Sequence, residues 1–293
     1  MKRKLMKMGK HTLLATIPSK WIQKHNLKSG NYVEFKEDDN KLILTSTAEI
    51  YEKKIEITIN SSTIMAVWRS MQPVYTSGFD EVKINFKDKK TLKLIEDNIK
   101  GLMGFEIVET RNNFVVIKSV SKQLDEEFPT ILRRVFFILK NMIETTKEAL
   151  ENNDKKKLEE IFTLETTINR YTMFLKRLIN RTGYKHPHYI YLIITFLELT
   201  ANHLDYIRRY YKLNPKTKIE KLSVKEFNKL YDLNEKIYDL YYNYSDDKFL
   251  WIAEELPHFK WFRNIKDPEI RLHFVSMAEY LVQVSRQIKA LHT

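Results

Sequence analysis

Apolar positions along the chain follow two regimes. Up to about residue 120 they fall mostly in short runs broken by turns, often at every second position. From about Leu124 onward they recur at helical spacing. The first stretch reads as strand, strand, short helix, strand, strand. Leu5–Met8 is a strand ended by Gly9, and Thr12–Ile17 is rich in apolar and β-branched residues and stops at Pro18. Proline suits the first position of a helix, so Pro18 opens a short one that runs to Leu27. Lys28–Asn31 is a turn, and Tyr32–Lys36 and Lys41–Thr45 are strands joined by the hairpin turn Glu37–Asn40. A unit this small encloses too little interior to be stable alone, and dimerisation is the natural remedy.

Residues 52–120 predict an α+β segment. Lys54–Ile59 and Glu81–Phe86 alternate apolar with polar residues, as half-buried strands do. Ser61, Ser62 and Thr63 can cap a helix running to about Val74. Lys89–Leu102 carries Leu92, Ile95, Ile99 and Leu102 at helical spacing, and Phe105–Glu109 and Phe114–Lys118 are strands around the turn Arg111–Asn113. Beyond them Leu132, Val135, Phe136, Leu139, Met142 and Ile143 form one apolar helical stripe, ended near Asn152–Asp154. Lys155–Arg181 is a second long helix, and Pro187 opens a third that runs to Leu213. After a polar connector, Asn214–Leu222, Ser223–Glu226 forms a capping box for a fourth. Asp247–Phe262 is a shorter piece broken at Pro257, and Pro268 opens the last helix. The count is three helices, a connector, then three more. The expected organisation is thus 1–48, 52–120, 124–214 and 223–293.

Composition narrows the function. The 293 residues contain no cysteine, which excludes disulfides, thiolate metal sites and a cysteine nucleophile. The six glycines make neither a dinucleotide fingerprint nor a phosphate loop, and no serine elbow or paired-histidine zinc helix is present. No nucleophile–base–orienter set emerges, so the chain is not expected to be an enzyme. The basic start is followed by no long apolar run, so no signal peptide is expected. The longest apolar stretch, near Tyr189–Leu197, is interrupted by Thr195 and falls short of the roughly 18 residues that a membrane span takes. A cytoplasmic protein without membrane insertion is expected.

Charge gives the positive signal. The net charge is +12, and residues 1–48 hold ten basic residues against four acids. Residues 1–28 hold eight basic residues and no acid at all. A balance of this kind points to a polyanionic partner.

The stretch from Gly9 to Phe35, with Pro18, Trp21, Leu27, Gly30 and Val33 in order, resembles the SpoVT-AbrB type of DNA-binding domain. Asn31 stands where that pattern usually has aspartate, and Ile22 where bacterial members often have arginine. The remainder is similar to the archaeal proteins that fuse such a domain to a PhoU-like (phosphate uptake regulator) helical domain. The span Leu102–Val108, Arg133, Arg134 and Met142 carry that likeness. The resemblance implies a multidomain fold: a dimeric N-terminal barrel of swapped hairpins, a small α+β middle segment, and an all-α domain of two three-helix bundles. It also implies a homodimeric transcriptional regulator of phosphate homeostasis that binds double-stranded DNA. The alternative is an adaptor that contacts a phosphate-transport or signalling protein, with the barrel serving dimerisation.

Within the basic stretch, Arg3, Lys7, Lys10, His11, Lys20 and Lys24 are the candidate DNA contacts, and strand alternation puts Arg3 and Lys7 on one face, since they differ by an even number. Ile17, Trp21 and Leu27 read as core. The PhoU signature pairs acids four residues apart for metal, but this chain has Glu198 with Asn202 and His203, Glu165 with Asn169, and Glu279 with Gln283. Neutral amides bind hard cations weakly, so no metal and no cofactor are expected, and the pattern reads as helix packing. A buried hydrogen-bonded pair of Glu198 with His203 is another expectation. His186 and His188, flanking Pro187, read as a surface loop.

Overall fold

The computed structural model describes residues 2–38, 40–46, 52–120, 127–182, 184, 186–217, 224–254 and 258–293. The chain divides into two compact units, Met1–Lys53 and Lys54–Thr293.

The first unit is two hairpins and one helix. Strands β1 (Met6–Met8) and β2 (Thr12–Leu14) pair antiparallel, with Met6 opposite Leu14 and Met8 opposite Thr12. Gly9 sits in the turn at φ +74°, a backbone state that suits glycine. Helix α1 (Ser19–Lys24) begins directly after Pro18. Strands β3 (Val33–Asp38) and β4 (Lys41–Ser46) pair with Phe35 opposite Leu44 and Glu37 opposite Leu42. Between α1 and β3 the Asn31 side chain accepts a hydrogen bond from the Lys28 amide at 2.7 Å, so asparagine fixes the turn. In the expected hairpin turn, Asp39 lies outside the described residues.

Alternation places Met6, Met8 and Leu14 on one face of the first hairpin, and Val33, Phe35, Leu42 and Leu44 on one face of the second. No described side chain in this unit is buried. Ile17, Trp21 and Leu27, expected as core, are only half-buried, and Phe35 and Leu42 are 58% and 62% exposed. Apolar strand faces of this kind need a partner to leave water.

The second unit opens with a four-stranded sheet. Strand β5 (Lys54–Ile59), helix α2 (Ile64–Thr76) and strand β6 (Glu81–Phe86) form a parallel crossover. Helix α3 (Lys89–Ile99) then leads to the hairpin of β7 (Phe105–Thr110) and β8 (Phe114–Ser119). The strand order is β5-β6-β8-β7. Val82, Ile84, Phe86, Val115 and Ile117 are buried on one face. The other face carries ion pairs between strands, such as Lys54 and Lys118 with Glu81. The expected serine–threonine cap of α2 is not made: Thr63 occupies the cap position without a side-chain bond. Ser62 instead donates to Asp88, whose other oxygen accepts the Thr91 amide at 2.7 Å and caps α3.

Among the described residues seven helices follow: α4 (Phe128–Glu151), α5 (Lys155–Thr182), α6 (Pro187–Leu213), α7 (Val224–Tyr242), α8 (Asp246–Glu254), α9 (His258–Trp261) and α10 (Pro268–Leu291). Helices α4, α5 and α6 pack on one another, α7 packs on α4 and α10, and α6 packs on α10. The region is a large helical body whose apolar core is continuous with that of the sheet. The expected helical start at Leu124, the capping box at Ser223, the end of the connector at Leu222 and the break at Pro257 lie outside the described residues. Asp267 caps α10 by accepting the amides of Glu269 and Ile270, and accepts the Tyr210 hydroxyl of α6 at 2.6 Å.

Sheet and helices are joined through α5. The Arg177 guanidinium is buried at 2% exposure, donates to the Tyr75 carbonyl at 3.0 Å, and lies over the Phe105 and Tyr75 rings at 4.5 and 5.1 Å. Asn180 donates to the Thr76 carbonyl at 2.8 Å, and Arg181 pairs with Asp80 at 3.1 Å. Arg177 and Asn180 thus donate to carbonyls of the last turn of α2, and the Arg177 charge sits at the helix end that favours a cation. Gly78 follows at φ +83°, and a Cβ there would meet Arg181 at 3.3 Å.

Candidate nucleic-acid interface

The six candidate basic residues occupy three local settings. Lys7 lies on β1 opposite Leu13, and Lys10 and His11 form the tip of that hairpin with Gly9. Lys20 and Lys24 lie one turn apart on α1 and therefore share a face. Arg3 precedes β1 and belongs to no strand, so the expected alternation does not place it on one face with Lys7. The reason is pairing: the ladder runs only from Met6–Leu14 to Met8–Thr12.

All six side chains are exposed, and none is paired with a carboxylate among the described residues. Unpaired ammonium and guanidinium groups on a surface that holds no acid up to Lys28 are free to neutralise phosphates. Lys2 and Lys4 are equally exposed in the same acid-free stretch. The absence of acids was their signal, and a choice of single residues passes over it.

In the helical body, the positions that resemble metal ligands are engaged in hydrogen bonds and ion pairs among side chains. Glu165 accepts the Asn169 amide at 2.6 Å, and Glu279 accepts Gln283 at 2.8 Å. Burial, and then the nearby Asp205 carboxylate, push the Glu165 carboxyl up from the usual range. Glu198 pairs with Lys176 of α5 at 2.6 Å, both side chains being largely buried. The expected Glu198–His203 pair is therefore not formed, because a buried lysine outcompetes a neutral imidazole for a carboxylate. His203 turns instead to His273 of α10. His188 packs against Tyr189, with ring centroids 4.0 Å apart. Among the described residues no group of three His, Asp or Glu side chains is placed to hold a metal ion, and no helix is long and apolar enough to cross a membrane.

The small unit is thus a two-hairpin module with one helix, uncovered apolar strand faces and an acid-free basic segment. Residues 12–51 match the family model described as antidote-toxin recognition MazE, bacterial antitoxin. The match supports an N-terminal domain of the SpoVT-AbrB type. No curated protein and no solved structure matches the chain.

Proposed function

We propose that the protein is a homodimeric regulator that binds double-stranded DNA through its N-terminal unit. The observation that carries this reading is the coincidence, within the first 28 residues, of eight basic residues, no acid and a matched regulator-type domain. The helical body supplies a surface for a ligand or protein partner. A partner that prefers one helix arrangement would change the affinity for DNA by its difference in affinity between the two states. The link to phosphate homeostasis rests on the PhoU resemblance of residues 124–293.

A second reading has its own support. The uncovered apolar faces of the hairpins call for a second copy whether or not DNA is bound. In that reading the unit serves dimerisation alone, and the helical body acts as an adaptor for a phosphate-transport or signalling protein.

Affinity for duplex DNA separates the two. Alanine at Lys7, Lys10, Lys20 and Lys24 together is expected to weaken binding by the full chain by on the order of a hundredfold or more, since two protomers lose eight positive charges. The loss should be similar across sequences if these groups touch phosphates, and confined to some sequences if they read bases. An unchanged affinity in fluorescence anisotropy would favour the adaptor.

A further inference from the structure

Helices α6 and α10 pack extensively on each other, and an unusual contact sits within their seam. The Nδ1 atoms of His203 and His273 face each other at 2.9 Å, with ring centroids 5.1 Å apart. His273 is only 8% exposed, and its Nε2 is buried without a hydrogen-bond partner among the described residues.

We propose that this histidine pair is an acid-operated joint between α6 and α10, closed by a single shared ring hydrogen and opened when further protons are loaded. Two facing nitrogens 2.9 Å apart have room for one hydrogen between them. A neutral imidazole carries one hydrogen, on either nitrogen. If His273 accepted at Nδ1, its hydrogen would sit on Nε2 as a buried donor with no acceptor. Buried orphan N–H groups are rarer than buried acceptors left without a donor. The geometry therefore points to His273 donating from Nδ1 and His203 accepting, with the His203 hydrogen on its own Nε2.

In that state no added proton has a comfortable seat. On His203 Nδ1 it would set two N–H groups against each other. On His273 Nε2 it would create a charge in a place that water scarcely reaches. The remaining charged and titratable groups around the pair offer partial help. Tyr206 of α6 lies against both rings, at 5.4 and 5.8 Å, and is itself covered by the Arg209 guanidinium at 5.8 Å. Tyr280 of α10 lies 5.5 Å from His203. The Glu269 and Asp267 carboxylates attract a proton toward His273, but Asp267 is already engaged by Tyr210 and by the start of α10. Burial outweighs them and lowers the affinity of His273 for protons. Burial and the facing His273 push His203 down to about 4.

Acid therefore weakens the joint. Unfolded histidines take up protons near pH 6.5, whereas His203 in the closed pair does so only at about 4 and burial lowers His273 below its usual range as well. Stability carried by the joint is whole above about pH 6.5 and declines as pH falls toward 4.

The test uses the full chain with labelled histidine, followed by imidazole nitrogen NMR between pH 8 and 4.5 beside free acetylhistidine amide in the same buffer. Two rings are expected to stay neutral at pH 5.5 while the reference is mostly protonated, with one of them, His273, showing hydrogen on Nδ1. In parallel, the thermal midpoint of the wild type should fall between pH 6.5 and 4.5 with a slope about twofold steeper than that of His273→Leu. Should every ring titrate with the reference, the joint does not exist. It is equally overturned if a folded His273→Leu, or His203→Leu where the first fails to fold, keeps the full pH slope.

Discussion

Methionine in place of Arg177 is expected to destabilise the larger unit by about 2–4 kcal/mol, the greatest effect of any single basic-residue change in it. The side chain is long, cationic and almost wholly buried, which is tolerated only where partners are supplied. Here they include the Tyr75 carbonyl and two aromatic faces, Phe105 and Tyr75. Methionine would keep most of the volume but take away one of that carbonyl's two donors, the other being the Gly78 amide, and remove both ring contacts. Burial also holds the Tyr75 phenol neutral, well above its usual range, while its hydroxyl donates to the Met103 carbonyl at 2.8 Å. Arg177→Lys should recover part of the loss, because a lysine keeps the charge and not the planar stack. Lys156→Met, at an exposed position of the same helix, should change stability by less than about 0.5 kcal/mol. Denaturant unfolding followed by circular dichroism measures all three. Equal effects at Arg177 and Lys156 would mean that the join between sheet and helices is not made by this residue.

The second large effect concerns assembly. Phe35→Asp is expected to convert the full chain from dimer to monomer at micromolar concentration and to weaken DNA binding at least a hundredfold. Phe35 lies in the middle of the uncovered face formed with Val33, Leu42 and Leu44. Covering a large apolar side chain contributes about 1.5–3 kcal/mol, and a symmetric interface counts each change twice. A carboxylate there adds a desolvation cost in both copies. The effect on DNA follows from valency, since a monomer brings half the positive charges. Analytical ultracentrifugation reads the first outcome and anisotropy the second. A Phe35→Asp chain that stays dimeric would place the interface elsewhere.

Much of this architecture was written in local pattern. β5, β6 and α6 have the bounds that alternation and the flanking prolines predict, because one face of each meets a core and the chain signals its ends locally. The first two strands are shorter than their apolar composition suggests, since only Met6–Met8 finds a partner in Thr12–Leu14. The placement of β8 between β6 and β7 was not legible, because pairing across a sheet depends on contacts distant in sequence. Arg177 reads in the sequence as one more cation on a helix, and only its neighbours from α2 and β7 make it a buried join. Glu198 and His203 stand out by their spacing on one helix, yet each is claimed by a different helix: Lys176 from α5 and His273 from α10. The basic segment was legible in full, because a run without acids needs no folding to be seen, and the structure adds that its side chains are exposed.

That this segment, shown twice by a dimer, binds DNA through phosphates is tested most directly by the affinity of the full chain for duplex DNA across a salt series. Contacts to six or more phosphates predict a loss on the order of a thousandfold between about 50 and 200 mM salt, linear on logarithmic axes. Affinity that does not change with salt, or no binding at the lowest salt, would contradict it.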